Sequence, residues 1–130
     1  MTAVDTNLLV RILTRDDEDQ YRMAVAVFDS GDVFIPETVW LETEWVLRYA
    51  YGFDAAAVVR AFLAVLGLPA IHTTDAALLL LAIEWHEGGL DFADALHLAG
   101  SQNAETFLTF DQTFIRKAVG VGHCRVAQPA

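Results

Sequence analysis

Four acidic side chains, Asp5, Glu42, Asp94 and Asp111, stand in local contexts from which they could do chemistry together. Asp5 follows the apolar pair Ala3-Val4 and precedes Thr6-Asn7 and the apolar run Leu8-Leu9-Val10. That pattern predicts a short buried strand ending at Asp5 and a helix beginning at once. In an open α/β sheet ligands bind in the crevice beyond the carboxyl ends of the strands, where Asp5 would stand. A helix N-cap accounts for the same residue equally well. Asp111 repeats the arrangement, after Phe107-Leu108-Thr109-Phe110 and before Gln112-Thr113-Phe114-Ile115. The two carboxylates would lie near each other if their strands were neighbours in one parallel sheet.

Glu42 is followed three, four and seven residues later by Trp45, Val46 and Tyr49. At 100° per residue these share its face, which predicts a carboxylate on the apolar side of a helix. Glu44 and Arg48 then fall on the far side as an exposed i,i+4 ion pair. A buried carboxylate is costly unless it is paired or bound to a metal. A core glutamate hydrogen-bonded to the backbone is the alternative. In Asp91-Phe92-Ala93-Asp94-Ala95-Leu96-His97-Leu98-Ala99 the core face is Phe92, Ala95, Leu98 and Ala99, with Asp94 at its border. Asp91 fits an N-cap with Asp94 three residues on, an arrangement resembling a capping box. His97 reads as a surface histidine rather than a ligand.

Several carboxylates in one cleft repel one another, and some protonate unless a cation neutralises them. No Cys or His pair has zinc spacing. Oxygen-only donors suit Mg²⁺ or Mn²⁺. An acidic pocket without a lysine, a Gly-rich phosphate loop or a Ser–His pairing points to metal-assisted hydrolysis of a phosphodiester.

The elements that must position these acids alternate between strand and helix, the pattern of a parallel sheet covered on both faces. Strands are predicted around Val4 and over 33–35, 70–72, 106–109 and 124–126, the last at an edge. Helices are predicted over 6–13, 18–29, 37–51, 55–66, 76–86, 91–101 and 111–118. Pro36 is placed at a first helical position, where its missing N–H costs nothing. The 130 residues fit one domain, and 55% hydrophobic composition makes it globular. The longest apolar run, Ala76 to Ile83, is too short for a membrane span. No signal peptide is visible, and the single cysteine, Cys124, excludes an internal disulfide; the expected setting is cytoplasmic. The net charge of −10 argues against a nucleic-acid partner.

The motifs Val4-Asp5-Thr6-Asn7, Glu42 with Trp45-Val46-Leu47, Asp94-Ala95-Leu96-His97-Leu98-Ala99 and Thr109-Phe110-Asp111 together resemble those of the PIN domain, in particular the VapC-type toxins of toxin–antitoxin pairs. The resemblance implies a three-layer α/β/α fold with a central parallel sheet of four to five short strands. It implies a Mg²⁺- or Mn²⁺-dependent ribonuclease whose metal site is Asp5, Glu42, Asp94 and Asp111. Thr6, Asn7 and Thr109 match supporting polar positions, and Asp91 a position acidic in some members. The implied partners are an RNA substrate and a small antitoxin protein. Self-association as a homodimer is expected, since the apolar surplus that includes Trp40, Trp45 and Tyr49 exceeds what so small a core hides; the alternative is that these aromatics are all core. No membrane partner is expected. A PIN-fold nuclease of RNA maturation or decay and a non-enzymatic PIN-fold module are the alternatives. A haloacid-dehalogenase-type phosphatase is disfavoured because Asn7 stands where that family needs its second Asp. RNA phosphates need local positive charge, and Arg11, Arg116 and Lys117, on the helices following Asp5 and Asp111, are the candidates.

Overall fold

The computed structural model describes residues 1–130. The chain is α/β and forms two compact units, Met1–Ala76 and Ala77–Ala130.

The first unit holds strands β1 (Thr2–Ala3), β2 (Val33–Ile35) and β3 (Ile71–Thr73), paired in the order β1-β2-β3 and all parallel. Parallel neighbours require crossovers. Helices α1 (Thr6–Thr14) and α2 (Glu18–Asp29) connect β1 to β2, and α3 (Glu37–Tyr51) and α4 (Ala55–Leu66) connect β2 to β3. Val4 lies just past β1, fully engaged, with its N–H donating to the Phe34 carbonyl at 3.1 Å. Asp5, Asp17 and Asp54 cap α1, α2 and α4 with their side chains. Pro36 is the cap of α3 rather than its first residue, and its carbonyl accepts from the N–H groups of Val39 and Trp40. Gly52 ends α3 at φ 70°, a left-handed conformation that suits glycine.

The core of this unit includes Leu9, Val10, Val33, Ile35, Trp40, Leu47 and Phe62. Trp40 meets Phe62 edge-on at 5.0 Å. Its indole N–H donates to Thr73 Oγ1 at 3.2 Å, and that hydroxyl donates to the Ile35 carbonyl at 2.9 Å. The one polar atom of the tryptophan is therefore satisfied inside the core, as burial requires.

The second unit follows the start of α5 (Ala76–Glu87) and contains α6 (Phe92–Ala99), β4 (Thr106–Leu108), α7 (Gln112–Lys117) and β5 (Arg125–Ala127). β4 and β5 pair in parallel. Leu79, Ile83, Phe92, Ala95, Leu98, Phe114 and Cys124 are buried here. The buried His86 donates from Nδ1 to the Leu90 carbonyl at 2.7 Å and stands edge-on to Phe92.

All five expected strands exist, but they form a three-stranded and a two-stranded sheet instead of one. β1 explains the difference. It has two residues before the chain turns to cap α1 at Asp5, so it offers few backbone groups for a second neighbour. β1 and β4 belong to different sheets, and the strand pairing expected to bring Asp5 beside Asp111 is absent. No helix is long and apolar enough to cross a membrane.

Candidate active site

Asp5 is the helix N-cap its sequence context allowed. Its Oδ1 accepts from the Leu8 N–H at 3.1 Å, which makes it the N-cap of α1. The carboxylate is exposed, and no hydrogen bond engages its second oxygen. An ionised carboxylate accepts at both oxygens, so capping leaves Oδ2 for a ligand. Thr6, the next residue, is buried, and Asn7 is exposed. Asn7 lines a groove of about 270 Å³ with Leu8, Arg11, Gln20, Met23, Ala24 and Val27 of α1 and α2.

Glu42 is exposed, which corrects the expectation that it lies on the buried face of α3. The buried face is Trp40, Thr43, Glu44 and Leu47. Glu42, Trp45 and Tyr49 face away from it, and Trp45 and Tyr49 are more than half exposed. Glu44, expected at the surface, is 1% exposed and grips Arg48, with Nε to Oε2 at 2.8 Å and Nη2 to Oε1 at 3.2 Å. Two apolar stripes run along α3 about 200° apart, and hydropathy alone does not say which meets the core. The bidentate pairing explains how a carboxylate is tolerated inside. Within the same unit α1, which Asp5 caps, packs against α3, which carries Glu42.

In the second unit Asp91 caps α6, accepting from the Asp94 N–H at 3.3 Å. Asp94 sits half-buried at the border of the helix's core face, as expected. Its carboxyl is pushed above the ordinary aspartate value by burial first, then by the negative charges of Asp91 and Asp111, with His97 opposing. His97 is exposed and stacks on Phe107 with ring centroids 6.3 Å apart. Asp111 caps α7, its Oδ1 accepting from the N–H groups of Thr113 and Phe114 at 3.0 and 3.1 Å. Thr109 Oγ1 accepts from the Asp111 N–H at 3.0 Å and so fixes the backbone that carries this acid. As at Asp5, the second carboxylate oxygen has no hydrogen bond.

The second unit thus brings Asp91, Asp94 and Asp111 into electrostatic contact, and the first unit carries Asp5 and Glu42. No three Asp, Glu, His or Cys side chains converge closely enough to hold an ion between them as they stand. The donor chemistry nevertheless fits a hard cation. Mg²⁺ takes one or two carboxylates and completes its shell with waters and substrate phosphate oxygens. Like charges crowding Asp94 are what such a cation would relieve.

The three candidate phosphate contacts differ. Arg11 is engaged within the first unit: Nε donates to Gln20 at 2.5 Å, and Nη1 reaches Asp16 at 3.3 Å and the Tyr51 hydroxyl at 3.2 Å. Arg116 and Lys117 are exposed in the last turn of α7 and form no ion pair. The Arg11 network was not foreseen, since Tyr51 lies 40 residues away in sequence.

The crystal structure of Mycobacterium tuberculosis VapC20, a sarcin–ricin loop cleaving toxin, is similar at 22% identity over 99% of this chain and 100% of that one, with a TM-score of 0.45. No curated protein matches the chain by sequence. The model of the PIN domain matches residues 2–120, a span that contains all four principal acids, and the chain belongs to the PIN domain family.

Proposed function

We propose that the protein is a metal-dependent endoribonuclease, the toxin of a toxin–antitoxin pair, and that residues 1–130 act as one PIN domain. The observation that carries this reading is the carboxyl of Asp94, held protonation-prone by Asp91, Asp111 and burial inside a chain of the PIN family. Capping needs only Asp91 and Asp111; the crowding of a third, half-buried carboxyl against them is what a bound cation would relieve.

Asp5, Glu42, Asp94 and Asp111 would hold the ion. Bound Mg²⁺ or Mn²⁺ supplies Lewis-acid stabilisation of the phosphoryl oxygens and a nucleophile at neutral pH. Asp5 and Asp111 are fixed by the helix N–H groups they cap, so each presents its remaining oxygen without rotamer searching. Thr109 holds the backbone of Asp111. Asp91 keeps α6 started at the residue that places Asp94. Glu42, on an exposed helix face, is free to bind directly or through water. The partners proposed are RNA, a small antitoxin that covers the acids with an Arg, whose guanidinium suits carboxylates, and a second copy of the chain.

The test is RNA cleavage by the purified protein with Mg²⁺ or Mn²⁺, with chelator, and with Asp5→Asn and Asp94→Asn. Cleavage that needs the metal and is lost in both variants is expected. Undiminished cleavage in chelator, or in both variants, overturns the proposal.

A further inference from the structure

Trp45 and Tyr49 are large aromatic side chains that the fold leaves in the open, 56% and 63% exposed. They follow Glu42 by three and seven residues, so the three share one face of α3. At 1.5 Å per residue Tyr49 lies about 10 Å along the helix axis from Glu42. The two rings touch, with centroids 4.9 Å apart and planes inclined at 45°. The Arg48 guanidinium lies over Tyr49, 4.6 Å from the ring centroid. The buried Glu44 holds that guanidinium at two points. The surface is therefore built before any ligand arrives: a carboxylate inside, a guanidinium fixed by it, Tyr49 against the guanidinium, and Trp45 against Tyr49.

We infer that Trp45 and Tyr49 are a stacking platform for the unpaired bases of single-stranded RNA next to the cleavage site, an inference that rests on the ribonuclease reading above. Three observations favour this occupant over another protein surface. The platform begins one helical turn from Glu42, where a substrate strand must pass if Glu42 serves the site. Its polar component is a guanidinium on an aromatic face, and unpaired bases stack on both kinds of plane. The chain has 8 Lys and Arg against 18 Asp and Glu, so phosphate contacts are few. Stacking supplies affinity that does not depend on net charge. A duplex buries its base faces, so the platform selects single strands.

The experiment measures binding of a fluorescein-labelled single-stranded RNA of mixed sequence, and of the same sequence as a duplex, by anisotropy with Mg²⁺ present. Asp94→Asn serves as the non-cleaving background. It compares Trp45→Leu/Tyr49→Leu with Trp45→Phe/Tyr49→Phe, and cleavage kinetics are measured for the same pairs on the wild-type background. Both side chains are exposed, and circular dichroism checks that the variants stay folded. The leucine pair is expected to weaken single-strand binding at least tenfold, to raise KM with kcat little changed, and to leave duplex binding as it was. The phenylalanine pair is expected to recover most of the affinity. Equal single-strand affinity and KM in the leucine pair and its parent overturn the platform while leaving the ribonuclease reading standing. So does a leucine pair that turns a dimer into a monomer by light scattering with affinity per chain unchanged. Wild-type protein that neither binds nor cleaves RNA defeats the ribonuclease reading, and the platform with it.

Discussion

Glu42 and Glu44 stand two residues apart on α3 and have opposite surroundings. Glu44 is inside and paired; Glu42 is outside. Glu44→Ala leaves Arg48 without its buried partner and should cost about 2 kcal/mol, less than a fully buried pair because Arg48 is partly exposed. Glu42→Gln should change stability by no more than about 0.5 kcal/mol and abolish RNA cleavage. Urea unfolding of both variants beside the cleavage assay checks the contrast. Equal stability loss in the two would mean that the burial of α3 is misassigned. Asp94 makes a prediction of its own. Its raised carboxyl value means that the folded protein holds a proton there more tightly than the unfolded chain. The stability gained is present below the ordinary value of 3.8 and is lost as pH rises through the raised one. Asp94→Asn removes that loss. In metal-free buffer at pH 7 the variant should melt at a higher temperature than wild type, and the difference should vanish at the acid end, where the protonated Asp94 carboxyl is as neutral as the asparagine amide.

At the scale of elements, three helices that matter to the site, α1, α6 and α7, begin at an aspartate whose side chain accepts from their first-turn N–H groups. At Asp5 and Asp111 the cap is also a proposed ligand, so the two roles separate only by choice of substitution. Asn caps as well as Asp. Asp5→Asn should therefore stay as stable as wild type while losing cleavage. Asp5→Ala should lose cleavage and about 1 kcal/mol of stability as well. Thermal melts of the pair decide it, and an equal stability loss in both variants would mean that the cap is not what fixes α1. These boundaries were legible in the sequence because Asp, Gly and Pro punctuate it. Asp5, Asp17, Asp54, Asp91 and Asp111 each cap a helix, and Gly52 ends one. The positions of Asp5 and Asp111 at helix starts, and of Asp94 in the first turn after Asp91, were legible for the same reason. The facing of α3 was not, because Trp45 and Tyr49 carry as much apolar area as Trp40 and Leu47. Which stripe is covered depends on neighbours such as Phe62 and Thr73 that are remote in sequence. The division of the strands into two sheets was also hidden, since a two-residue strand leaves almost no hydropathy pattern.

The whole molecule carries a net charge of −10, and any RNA must approach against it. Long-range attraction is absent, so association should be slow at low salt compared with that of a basic nuclease, and affinity should depend on a few local contacts. Of the cations near a candidate acid, Arg11 is committed to Asp16, Gln20 and Tyr51 and is partly buried by them. Arg116 and Lys117 are exposed, lie on the short helix that Asp111 caps, and have no acidic partner. Each phosphate neutralised releases counterions, and on a single strand the logarithm of affinity falls with the logarithm of salt by about 0.7 per contact. Replacing both residues by alanine should therefore weaken RNA binding and make the salt dependence shallower, by about 1.4 in slope if each contacts one phosphate. Arg11→Ala should act differently: it removes three internal hydrogen bonds, lowers stability, and leaves the salt slope alone. Titrations of single-stranded RNA at several salt concentrations, with Mg²⁺ present and a non-cleaving background, read all three quantities. A salt slope unchanged in the Arg116→Ala/Lys117→Ala variant but reduced in Arg11→Ala would transfer the phosphate contact to the first unit and require the Arg11 network to open when RNA binds.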